Sequence, residues 1–151
     1  MISATIDFDP DTLNLGSMGK WVTVYIELPI GHGYDISGIN IESVMLNEEL
    51  YAELNPTHIS DYDEDGIPDL MVKFFRKAIQ ELLQIGENII ITVTGSLIDE
   101  QSFKGTDSIR VISQEVDIES SNMLIMPSNL LYFPSLIFSI LLLAFIGVIS
   151  T

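Results

Sequence analysis

Residues 61–69 read DYDEDGIPD and place five carboxylates in nine positions: Asp61, Asp63, Glu64, Asp65 and Asp69. Unit charges held this closely repel one another unless a cation lies among them. The spacing suits a hard cation such as Ca²⁺, which takes roughly six to eight oxygen ligands at about 2.3–2.6 Å. Carboxylates at the first, third and fifth positions of a curling loop, here Asp61, Asp63 and Asp65, converge on one point. Gly66 at the sixth position permits the sharp turn that a Cβ resists, and the carbonyl of Ile67 at the seventh can point inward. Asp69 at the ninth closes the shell directly or through water. The candidate metal ligands are therefore Asp61, Asp63, Asp65, Ile67 and Asp69, with Ca²⁺ as the expected cofactor.

The elements that must carry this loop are not helices. An EF-hand would continue to a bidentate glutamate at the twelfth position, where this chain has Val72. The segment before the loop, 51–60, contains Pro56 and no amphipathic helix, and after it Leu70, Val72 and Phe74 alternate with Met71 and Lys73. The arrangement is strand, loop, strand. In that form residues 61–74 (DYDEDGIPDLMVKF) resemble the calcium loops of integrin-type β-propeller repeats, and more loosely those of thrombospondin type 3 repeats and dockerins. The resemblance implies Ca²⁺ ligation by Asp61, Asp63, Asp65, Asp69 and the Ile67 carbonyl. It does not imply those folds, because those families repeat the loop and this chain has one copy. The wider pattern, from Ile6 through Asn47 to the closing TVTG and IRVI motifs, looks like a β-sandwich module of microbial cell-surface proteins.

Around the loop the chain reads as mainly β. Val22, Val24, Ile26 and Leu28 alternate with Thr23 and Glu27, the period of a half-buried strand. Residues 39–46 offer a second strand whose apolar register slips between Ile41 and Val44, and 89–95 (IIITVTG) a third, rich in β-branched residues. Phe103, Ile109, Val111 and Ile112 supply returning strands. Phe75, Ala78, Ile79, Leu82 and Leu83 recur at helical spacing with Gly86 available as a stop, which predicts one short helix. Many short strands without alternating long helices point to an antiparallel immunoglobulin-like β-sandwich, with a barrel as the structural alternative.

Length and charge restrict the function. The chain has 151 residues, 22 Asp and Glu against six Lys and Arg, no cysteine, and a mean hydropathy of +0.36. Acidity and hydrophobicity occupy different segments, since no charged residue follows Glu119. A net charge of −16 with scattered cations argues against nucleic-acid binding. Absence of cysteine excludes disulfides, thiolate metal sites and cysteine nucleophiles. No Ser, His and Asp set has a recognisable local context and there is no glycine-rich phosphate loop, so no enzymatic activity is expected. A second acidic triplet, Asp7, Asp9 and Asp11, lacks the glycine and reads as a strand edge followed by an Asp-Pro turn; His32 reads as a turn residue, and His58 has no evident partner.

The expected organisation is a calcium-binding domain over 1–113, a tether over 114–129 and a transmembrane helix over 130–150. Residues 130–149 contain no charge and, as a helix, would extend about 30 Å, the depth of a bilayer core. No basic residue flanks that run, so it carries no orientation signal, and the N-terminal residues show no basic and apolar leader. The leading expectation is a single-pass, membrane-anchored, extracellular structural or adhesive module stabilised by one Ca²⁺, which saturates even weak sites at millimolar extracellular levels. A cytosolic tail-anchored domain that binds a partner protein under calcium regulation, and a subunit of a surface filament built by strand addition, are the alternatives.

Overall fold

The period-two segments form strands that pair into two sheets. In the computed structural model residues 1–114 are described; the tether beyond Gln114 and the membrane helix expected over 130–150 lie outside the described residues. In chain order the elements are β1 (Ile2–Ser3), β2 (Thr5–Asp9), β3 (Thr12–Asn14), β4 (Trp21–Glu27), a 3-10 turn (Ile36–Gly38), β5 (Ile39–Leu46), β6 (Leu50–Tyr51), β7 (Glu53–Ser60), β8 (Asp69–Phe75), α1 (Arg76–Leu82), β9 (Gly86–Leu97) and β10 (Ser102–Ile112). One sheet runs β2-β4-β8-β7, antiparallel throughout. The other runs β1-β10-β9-β5-β6, with β3 also on β10. Met1–Gln114 forms one compact unit.

The apolar faces close on each other as the alternation requires. Val22, Val24 and Ile26 of β4 and Val72 and Phe74 of β8 are buried, together with Phe8, Val44, Ile91, Val93, Phe103 and Val111 from the strands around them. Burying each such side chain contributes about 1.5–3 kcal/mol. The slipped register of 39–46 corresponds to an irregularity in the β5–β9 pairing between Asn40 and Met45. Thr23, on the outward face of β4, is nevertheless buried, because it accepts a hydrogen bond from the Lys73 ammonium, whose side chain lies beside it.

Three local expectations are corrected. The helix is only seven residues long: Phe75 is extended and serves as its N-cap, and the chain turns extended again at Leu83, which buries in the core. Gly86 does not stop the helix; it opens β9, paired with Val111. Leu83 still donates its amide to the Ile79 carbonyl, but its own backbone is extended and leads the chain into β9. Phe103 to Ile112 lie on one strand, not several. Pairing is also not wholly antiparallel, since β1 and β3 run parallel to β10 at the sheet edge.

The first strand therefore changes sheets, leaving β10 after Ser3 for β4 and returning at Thr12. Gly105 makes the crossing possible, because a Cβ there would overlap the Ala4 carbonyl and the Ile6 side chain. Neither edge of the β4 sheet offers a long regular ladder: β2 has five residues, and β7 breaks register between Glu53 and His58 and contains Pro56. Replacing Gly105 with Ala should overpack the crossing and cost about 1–3 kcal/mol, a drop of at least several degrees in Tm by circular dichroism. An unchanged Tm would show that the crossing yields without strain.

Candidate metal centre

The β7–β8 connection, 61–68, is the acidic loop, and its backbone is organised by its own carboxylates. Asp61 Oδ2 accepts from the Gly66 amide at 2.9 Å across the loop. Asp63 Oδ1 accepts from the Asp65 amide at 3.2 Å, and Asp65 Oδ1 from the Ile67 amide at 2.8 Å. Asp69, the first residue of β8, accepts from the Tyr62 amide at 2.8 Å and so closes the loop on itself. Glu64 and Gly66 take left-handed φ values of 62° and 91°, and at Gly66 a Cβ would meet no neighbouring atom. The glycine is thus required by backbone conformation and not by crowding. Ile67 and Pro68 seat the far end of the loop against Leu28, Tyr34 and Ile36 around a cavity of about 70 Å³.

Four of the sequence-predicted ligands carry carboxylates, and the fold gathers them. Oxygens of Asp61, Asp63 and Asp69 lie within 4.8 Å of one another, and so do those of Asp63, Asp65 and Glu27. Asp63 belongs to both sets. Ile67 lies in the loop with its amide committed to Asp65. Glu27 is the addition that linear spacing does not offer: it stands 34 residues before Asp61 in the chain, as an outward residue at the end of β4. The antiparallel register pairs Glu27 with Asp69 across β4 and β8 and thereby brings it to the loop. Only a prediction of that pairing, and not a motif, could have found it.

The acidic triplet Asp7, Asp9 and Asp11 behaves as the strand edge and turn expected of it, with Asp7 and Asp9 on β2. His32 sits in a turn between Gly31 and Gly33 and stacks on Tyr34, and His58 is on β7.

Packing and charge shape the electrostatics. Asp69 is only 6% exposed. Its burial raises its pKa against the lowering effect of the Tyr62 amide, and repulsion from Asp63, Asp65 and Asp61 raises it further. Glu27 is raised by burial, opposed by a hydrogen bond from Thr5 and reinforced by Asp65, Asp69 and Asp63. Beside them Tyr62, from the loop, stacks on Tyr25 of β4 with ring centroids 3.6 Å apart. Burial, the neighbouring Tyr62 and nearby carboxylates push the Tyr25 hydroxyl up to about 12. The stack pins the loop to the outer face of the sheet.

Folded-state pKa values raised above 3.8 for Asp69 and 4.5 for Glu27 mean that the folded protein holds protons which the unfolded chain has released. That contribution to stability is complete below the ordinary values and is lost as the pH rises through the raised ones. In chelator-treated buffer the Tm should therefore fall as the pH rises from about 4 towards neutrality, and Asp69→Asn should flatten the profile. A metal-free Tm that rises over this interval, with the same slope in the variant, would contradict the electrostatic description. Comparison with family models, curated proteins and solved structures gives no match to this chain, so the site is read from its own residues.

Proposed function

We propose that the chain is a membrane-anchored cell-surface module, structural or adhesive, in which an immunoglobulin-like β-sandwich is stiffened by one Ca²⁺ at the β7–β8 loop and held by a single helix over 130–150. The observation that carries this reading is the pair of carboxylate triplets at one loop, Asp61–Asp63–Asp69 and Glu27–Asp63–Asp65, which share Asp63. Among the described residues no Lys or Arg pairs with them, the ion pair there being Arg110–Glu87. Such a set of oxygens, completed by the Ile67 carbonyl, is suited to a divalent cation whose charge offsets their repulsion.

The immunoglobulin-like assignment draws support from strand order. With β2 taken as strand A, the sheets count off as A-B-E-D and G-F-C-C′, the arrangement of that sandwich with β6 added at one edge of the second sheet and β1 and β3 added in parallel at the other. The external location draws on calcium supply, since a loop of this kind is filled at extracellular concentrations without needing high affinity. The anchor rests on the uncharged run 130–149; among the described residues no helix is long and apolar enough to cross a membrane. The interrupted edge at β7 favours an anchored module over a filament assembled by strand addition.

Thermal unfolding of residues 1–114 in Ca²⁺ and in chelator tests the metal. At about 100 times the dissociation constant Ca²⁺ should add roughly 2.7 kcal/mol to the folded state, raising Tm by several degrees. Asp63→Asn combined with Asp65→Asn should remove the increase and should also abolish Tyr62-sensitised terbium luminescence. Identical melts with and without Ca²⁺ would overturn the calcium assignment. Protease added to intact cells should digest the domain; protection until permeabilisation would instead support the cytosolic, tail-anchored arrangement.

A further inference from the structure

The end of the unit opposite the acidic loop has a different chemistry. Trp21 and Phe75 are paired across β4 and β8 at the far end from Glu27 and Asp69, about 20 Å away along a seven-residue strand. Their rings stack at 4.8 Å, and the Lys20 ammonium lies over the Trp21 ring at 4.5 Å. The β3–β4 link is clamped to α1: Arg76 donates to Ser17 Oγ and the Trp21 carbonyl, and Gln80 donates to the carbonyls of Asn14 and Ser17. Between link and helix lies a cleft of about 380 Å³, with Met18, Lys77 and Gln80 among its lining.

This end exposes apolar side chains beside cations. Met18 is 97% exposed and lines the cleft with exposed Lys77, and Phe75 is 46% exposed beside Trp21, over whose ring the exposed Lys20 lies. Lys20, Arg76 and Lys77 are half of the six basic residues in the chain. The last described residues also lie here: the Leu15 amide donates to the Ile112 carbonyl, and Gly16 lies beside Gln114. The apolar run begins at 130, sixteen positions after Gln114, so covalent geometry limits the distance from Gln114 to that run to about 55 Å.

We infer that this end, formed by the β3–β4 link, the Trp21–Phe75 pair and the start of α1, rests on the headgroup layer of a phospholipid bilayer. The inference depends on reading 130–150 as a membrane helix. Lysine stems extend over apolar surface while their ammonium groups reach phosphate, and tryptophan favours the interface between water and hydrocarbon. Met18 and Phe75 enter between headgroups, and Lys20 and Lys77 contact phosphate. Acidic neighbours at this end are Glu81 on α1, Glu87, which pairs with Arg110 at 2.6 Å, and the β2 end with Asp9 and Asp11. The acidic loop lies beyond the Debye length of about 8 Å at physiological salt and does not oppose contact. With this end on the bilayer, the candidate metal centre faces outward.

Trp21 is the single tryptophan, so it reports the contact without labelling. The full chain is reconstituted in phosphatidylcholine vesicles, with and without added phosphatidylglycerol, and half of each preparation carries a headgroup spin label. Loss of most Trp21 emission in the spin-labelled vesicles is the expected result. Replacing Lys20 and Lys77 together with Gln should reduce the docked population by on the order of tenfold, restoring emission, while an unchanged melt shows the fold intact. Emission equally strong with and without spin label, in protein that stays on the vesicles after an alkaline carbonate wash, would overturn the inference and leave the anchor standing. If the protein washes off, the anchor reading fails, and the unanchored chain is then mixed with the same vesicles at low salt. Salt-sensitive quenching of Trp21 would retain this end as a lipid-facing surface, and no quenching would refute it.

Discussion

The antiparallel register of β4 and β8 is the constraint on which the rest of the unit depends. It sets Val24 opposite Val72 in the core and, at the two ends, Glu27 opposite Asp69 and Trp21 opposite Phe75. A slip of one residue would turn Val22, Val24 and Ile26 out to solvent, so burial fixes the register strongly. Chemistry at both ends follows from it. One pairing brings a fifth carboxylate to the acidic loop, and the other builds the aromatic pair beside Lys20.

Charge distribution gains meaning from this geometry. The net charge of −16 belongs to residues 1–119, but its effect is local at the two carboxylate triplets that share Asp63. Asp69 is buried there, a position that disfavours its ionised form, and Tyr62 over Tyr25 closes the loop on the sheet. In the proposed function a bound Ca²⁺ turns this repulsion into a cross-link between the ends of β4, β7 and β8. A domain stiffened in that way is suited to transmit force or present a surface, and neither role requires a deep catalytic pocket.

Much of the fold was legible in the residues because burial follows alternation. Val22 to Leu28 read as a strand, and the flanks of the acidic loop read as strands despite Pro56. Four carboxylates of the candidate site were legible for the same reason, since loop ligands close in sequence have their spacing written in the chain. The errors share another cause. The helix stopped at Leu82 and Gly86 became a strand residue because β9 starts at Gly86 by pairing with Val111 of β10, and only that pairing reveals it.

The sequence by itself determined a mainly β unit, one acidic loop with glycine where a left-handed turn is needed, and an uncharged run of bilayer length after the last charge. These are local properties, set by side-chain period, backbone conformation and charge. Only the tertiary structure decided that Glu27 joins Asp63 and Asp65, that the N-terminal strands divide between two sheets, and that Lys20, Arg76 and Trp21 share the end where the described residues stop. Each of these joins residues distant in the chain, and strand pairing, which linear spacing does not encode, is what brings them into contact.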